Sequence, residues 1–149
     1  MKKTIAVVIA SGALLAGLAM AQEKKVKMQD LPAAVQQAVK EHSQGATIKG
    51  LAMEVEKGKK LYEAELSVNG KSRDITFDEQ GKLVSAEEET SLDKIPAAAR
   101  AAIEKGAGAG KITLVESVTE DGITSYEAQV TTGKKKSEVK VDASGKTVK

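Results

Sequence analysis

Tyr62-Glu63-Ala64-Glu65-Leu66-Ser67-Val68-Asn69-Gly70 reads as one strand of a sheet ending in a tight turn. Tyr62, Ala64, Leu66 and Val68 alternate with Glu63, Glu65 and Ser67, the period of two that marks a strand with one buried face. Asn69-Gly70 is a strong hairpin signal because both residues tolerate positive φ. Ile75 and Phe77 then alternate with Asp74, Thr76 and Asp78, giving the partner strand. Upstream, Met53 and Val55 alternate with Glu54 and Glu56 before the turn Lys57-Gly58-Lys59. Downstream, Asp78-Glu79-Gln80-Gly81 turns the chain into a strand beginning Leu83-Val84. Short turns make each of these neighbours antiparallel.

A helix precedes the strands. Leu31, Val35 and Val39 recur every four residues beside Ala34 and Ala38, forming one apolar stripe. Asp30 is the expected N-cap and Pro32 falls in the first turn, where a missing N–H is harmless. Glu41-His42-Ser43-Gln44-Gly45 ends the helix.

The pattern occurs twice. A gapless shift of 64 residues lays Leu31-Pro32-Ala33-Ala34 on Ile95-Pro96-Ala97-Ala98, and Tyr62-Glu63-Ala64 on Tyr126-Glu127-Ala128. Between 31–84 and 95–148, 15 of 54 positions are identical, concentrated at turns and apolar positions. The second helix carries Ile95, Ala99, Ala102 and Ile103, and Gly106-Ala107-Gly108-Ala109-Gly110 is expected to break it and form a flexible linker. The fold class is therefore α+β: two tandem repeats, each one helix packed on a four-stranded antiparallel meander. A module this small, in a chain with two Tyr, one Phe and no Trp, is marginal alone. The expected remedy is that the copies pack together, one continuous eight-stranded sheet being a candidate arrangement, with Glu87-Glu88-Glu89-Thr90-Ser91 as the connection.

The first residues read differently. Met1-Lys2-Lys3, an apolar run from Ile5 to Leu18 and Ala19-Met20-Ala21 before Gln22 match a secretory signal peptide with its cleavage box. A retained N-terminal anchor is the alternative reading. The expected organisation is a signal peptide at 1–21, a first repeat at 22–89 and a second at 90–149. Localisation is then periplasmic or secreted, with no membrane span after cleavage. The whole chain is +2, but Lys2 and Lys3 leave with the signal, and the remaining 21 basic and 21 acidic residues balance. The basic isoelectric point thus gives no reason to expect a nucleic-acid partner.

Candidate chemistry is sparse. With no cysteine there is no disulfide framework, no thiolate metal site and no cysteine nucleophile. His42 is the one histidine, so no His-pair zinc motif exists; at a helix end it reads as a C-terminal cap or a solvent-exposed ring. Asp78-x-x-Gly81 and Asp142-x-x-Gly145 lack the alternating oxygen ligands and distal Glu of a calcium loop and read as turns. Gly106–Gly110 has no Gly-Lys-Ser/Thr ending and follows a helix, unlike a phosphate loop. No catalytic residue, metal site or cofactor is assigned, and the strand glutamates are expected to point into solvent with ordinary titration.

Charge is unevenly divided. Residues 22–89 hold 11 Lys+Arg and 13 Asp+Glu, whereas residues 90–149 hold 10 and 8. On the sheet face away from the helix, the first copy is expected to place Glu54, Glu56, Glu63, Glu65 and Asp74. The second is expected to place Lys134, Lys136 and Lys140 there, with Glu127 and Glu138 among them. The bland reading is a solvated face with weak cross-strand ion pairs. The sharper one is a bipolar face for a protein or peptide partner, or for a second copy of the chain. Small-ligand or cation binding by the acidic first copy is the alternative function.

The residues also resemble the PepSY-like proteins, a family related to PepSY domains and to β-lactamase-inhibitor-like folds. The likeness lies in Leu31-Pro32-Ala33-Ala34-Val35, Tyr62-Glu63-Ala64-Glu65-Leu66, Ile75-Thr76-Phe77-Asp78 and Gly81-Lys82-Leu83, and again in Val139-Lys140-Val141-Asp142-Ala143-Ser144-Gly145-Lys146-Thr147-Val148. The resemblance implies an exported, non-catalytic binding module that associates with a protein or peptide of the cell envelope, in some relatives through peptidase inhibition. The chain departs from the inhibitors in lacking exposed aromatic anchors.

Overall fold

A computed structural model describes residues 23–148; the expected signal peptide lies outside the described residues. Eight antiparallel strands run in chain order across one sheet: β1 (Lys24–Lys25), β2 (Thr47–Glu56), β3 (Lys59–Val68), β4 (Lys71–Asp78), β5 (Leu83–Glu89), β6 (Lys111–Glu120), β7 (Ile123–Thr132) and β8 (Lys135–Asp142). Helix α1 (Ala33–His42) precedes β2, and α2 (Ala97–Ala107) precedes β6. Both ends of β2, β3 and β4 map onto β6, β7 and β8 with the 64-residue shift, as do the register breaks at Ile48/Gly50 and Ile112/Leu114.

Local chemistry explains the elements. The two-residue turns Lys57-Gly58, Asn69-Gly70 and Asp121-Gly122 each hold both residues at positive φ, the backbone that a tight hairpin requires. Helix α1 starts two residues later than the sequence suggests. Asp30 closes a short 3₁₀ turn and accepts a hydrogen bond from Lys27 N at 3.2 Å, while Pro32 is the helix N-cap. Helix α2 continues through Gly106 to Ala107, because Gly106 packs closely on Val139 where a side chain would collide.

The helices bury one face of the sheet. Leu31, Val35 and Val39 pack with Tyr62, Leu66, Ile75 and Phe77; Ile95, Ala99 and Ile103 pack with Val115, Ala128 and Val141. Each large apolar side chain removed from water stabilises the fold by about 1.5–3 kcal/mol. The His42 ring lies tilted 5.3 Å from the Phe77 ring, so it extends the first core rather than standing free.

The joint between copies is a ladder. Ser85–Glu89 of β5 pairs with Glu116–Glu120 of β6, so Glu87–Glu89 belong to a strand rather than to a connecting loop. The two copies contribute unequally: β1 adds an edge beside β2, and the second copy has an isolated Val141–Thr147 bridge in place of a full fourth strand.

The two Asp-x-x-Gly turns anchor strands to helices. One Asp78 carboxylate oxygen accepts from the Gln80 and Lys82 amides, both at 2.9 Å, and Asp142 does the same for Ser144 and Lys146 at 2.9 and 3.0 Å. Gly81 (φ +76°) and Gly145 (φ +83°) then approach the helices so closely that a Cβ would stand 2.5 Å from the Ala34 carbonyl oxygen and 2.6 Å from that of Ala98. Gly81→Ala and Gly145→Ala are each expected to destabilise the protein by about 1–3 kcal/mol from backbone strain, with the collision adding to it. Urea denaturation measures this; an unchanged midpoint for either would contradict the helix–turn contact.

Candidate binding face

Cross-strand register decides which side chains share the uncovered face. Glu63 stands opposite Ala52 and Thr76, and Glu65 opposite Gly50 and Asp74. Asp74 faces Glu87, which faces Val118. Glu89 faces Glu116, which faces Glu127, which faces Lys140. An acidic band therefore crosses five strands: Glu63 and Glu65 on β3, Asp74 on β4, Glu87 and Glu89 on β5, Glu116 on β6 and Glu127 on β7. Glu54 and Glu56 lie toward the β2 end of the same face, and Lys136 and Lys140 at the β8 edge.

Lys134 is different. It sits in the β7–β8 turn, because Gly133 with φ +60° reverses the chain there, so the residue is at a hairpin tip rather than on the face. The sign boundary also falls elsewhere than expected. The second copy adds Glu116, Glu120, Glu127 and Glu138 to the face, which is acidic until the last strand. Glu87, Glu89 and Glu116 escape sequence reasoning because the first two read as a linker and the third is brought opposite Glu89 by the β5–β6 ladder. The one usable signal is the alternation Glu116, Val118, Glu120.

The carboxylates are not the free surface groups expected from alternation. Glu63 and Glu116 each retain 8% of their accessible surface. Ala52 and Thr76, on either side of Glu63, are themselves buried, so the carboxyl sits down among neighbouring side chains. Neither Glu63 nor Glu116 has a hydrogen-bond or ion-pair partner among the described residues. Lys140 Nζ reaches Glu127 at 4.0 Å, an ion pair at the band's end. The Arg73 Nε–Glu88 contact of 2.7 Å lies on the helix side of the sheet, with the N–H poorly aligned on the carboxylate.

Burial and mutual repulsion hold protons on this face. Burial pushes Glu63 up to about 8, helped by the charges of Asp74, Glu23, Glu65 and Glu54. Burial raises Glu116 to about 7, with Glu87, Asp74, Glu89 and Glu138 adding to it. Asp74 rises to about 6 through burial and then through Glu65 and Glu87. Glu54 and Glu87 are raised mainly by burial, Lys140 opposing the rise at Glu87. Glu127 is raised by burial and by a hydrogen bond with Glu138, against the pull of Lys140.

The arrangement can attract positive charge and take up protons. Among the described residues, no three carboxylate or histidine side chains are grouped to hold a metal ion, and no helix is long and apolar enough to cross a membrane. The family model "Putative beta-lactamase-inhibitor-like, PepSY-like" matches residues 19–85 and again residues 68–149. The chain belongs to the PepSY-like family. Solved structures share the PepSY-like fold seen here. That of a putative periplasmic protein from Bacteroides eggerthii DSM 20697 superposes with a TM-score of 0.67 at 22% identity, over 80% of this chain and 86% of that one. A BLIP-like protein from Bacteroides fragilis NCTC 9343 gives 0.60 at 23% identity, over 80% and 84%. A DUF2874 family protein from Bacteroides ovatus ATCC 8483 gives 0.63 at 21% identity, over 80% and 85%. Among curated proteins, none matches this PepSY-like chain.

The raised carboxyls fix a pH dependence. A carboxyl whose folded value exceeds its unfolded one binds its proton more tightly in the native state. Between the ordinary 4.5 and the folded value of about 8 for Glu63, the native protein holds the extra proton, so stability falls as pH rises. Asp93 and Asp142 are lowered from 3.8, mainly by serine hydroxyls, and act only in more acid solution. The melting temperature is expected to be higher at about pH 5 than at about pH 8, and Glu63→Gln should stabilise the protein at the higher pH by about 1 kcal/mol or more. Calorimetry at both pH values measures this; a melting temperature that rises toward alkaline pH would contradict it.

Proposed function

We propose that the chain is an exported, non-catalytic PepSY-like binding module, working in the periplasm or outside the cell and associating with a protein or peptide of the cell envelope through the open sheet face. The observation that carries this reading is the uncovered face itself: one side of an eight-stranded sheet lies under two helices, while the other is left open and bears a band of carboxylates running from β3 to β7. Like charges set opposite one another across strands cost stability, and a positively charged partner offsets that cost. The periplasmic description of the Bacteroides eggerthii neighbour supports the localisation.

The proposed role is reversible association, with an envelope peptidase as the proposed partner class; the inhibitor-like description of the family supports association with a protein. Binding of a small cation, the other reading of the acidic residues, has weaker support because the carboxylates form a line rather than a cage.

A photo-crosslinking residue at Gln129, exposed on the open face, is expected to capture an envelope protein. The same residue at Glu41, exposed on α1, is expected to capture little. Equal adducts from both positions, or none from Gln129, would overturn the open-face reading.

A further inference from the structure

We propose that the acidic band takes an extended cationic segment of a partner polypeptide, laid across the strands with lysine or arginine side chains at alternate positions over the carboxylates. The inference rests on the open face being the binding surface and names the chemistry of what binds there.

Glu65, Asp74 and Glu87 stand directly opposite one another on three adjacent strands. Like charges in that relation destabilise a sheet pair. Glu63 and Glu116, each with 8% of its surface exposed and no hydrogen-bond or ion-pair partner among the described residues, lie on the same face to either side of this ladder. The site thus combines like-charge repulsion with two low-exposure carboxyls that no protein donor among the described residues pairs, and positive charge relieves the repulsion.

Shape selects the occupant. A divalent cation needs several oxygens converging on one point, and no such group is present among the described residues. From β3 to β7 the band instead spans four strand spacings, about 19 Å. An extended chain advances about 3.3 Å per residue, so about six residues cross it, and alternate side chains bring about three basic groups to the face. The Ser85 hydroxyl, partly exposed on this face beside Glu87 and opposite Glu120, can hydrogen-bond a peptide main chain. That hydroxyl favours a polypeptide over a simple polyamine of similar length.

The test uses the purified mature chain and a fluorescein-labelled Lys-Ser-Lys-Ser-Lys-Ser peptide, read by fluorescence anisotropy at about pH 8 with spermine as competitor. The triple variant Glu65→Gln, Asp74→Asn, Glu87→Gln is expected to weaken binding about tenfold or more. A charge-matched control, Glu41→Gln, Glu79→Gln, Glu104→Gln, removes three exposed carboxylates off the face and is expected to change it by less than about twofold. Circular dichroism checks that each variant is folded, and the single Asp74→Asn replaces the triple if it is not. Absence of peptide binding, equal weakening by both triples, or displacement by spermine at concentrations equal to those of the unlabelled peptide would each overturn the proposal. Crosslinking retained at Gln129 without peptide binding sinks only this inference, whereas loss of that crosslinking sinks the open-face reading beneath it.

Discussion

Five residue pairs between Ser85–Glu89 and Glu116–Glu120 hold the two repeats in one sheet. The rest of the molecule depends on that ladder. A single repeat is a helix on a few short strands, too small to remove much apolar surface from water. Joined edge to edge, each copy covers a strand edge of the other that would otherwise expose unpaired backbone groups. The pairing of Ala86 with Thr119 also keeps the faces in phase, so both helices and both cores fall on one side.

The same ladder has an electrostatic cost. Keeping the cores in phase brings the polar faces into phase too, and sets Glu89 against Glu116 and Glu87 beside Val118. Carboxylates that would be separate on two independent modules become one band. Low exposure then weakens the solvation that normally keeps surface carboxylates ionised. Burial and neighbouring negative charge act in the same direction at Glu63, Asp74 and Glu116. The joint that makes the sheet continuous therefore also makes its open face acidic and proton-binding.

Much of this is legible in the amino-acid order, because it is local. Asn69-Gly70 and the alternation from Tyr62 to Val68 specify a hairpin without reference to the rest of the chain. The 64-residue shift carries every strand of the first meander but the last onto its counterpart. What escapes is set by distant partners. Burial of Glu63 comes from Ala52 and Thr76 on either side, and alternation alone reads it as a solvated residue. The acidic contribution of the second copy follows from the β5–β6 pairing, which no turn signal announces. At Lys134 two local readings conflict, strand alternation and the Gly133 turn, and the turn prevails because its positive φ takes the chain out of the strand.

The character of the open face depends on Glu63 and Glu116 being held at low exposure among other carboxylates in the folded protein. A carboxyl-carbon NMR titration of the two side chains measures this directly. Midpoints of about 8 for Glu63 and about 7 for Glu116 are expected. Titration of both at the ordinary value of 4.5 would contradict a buried acidic face, and with it the reading of that face as a binding surface.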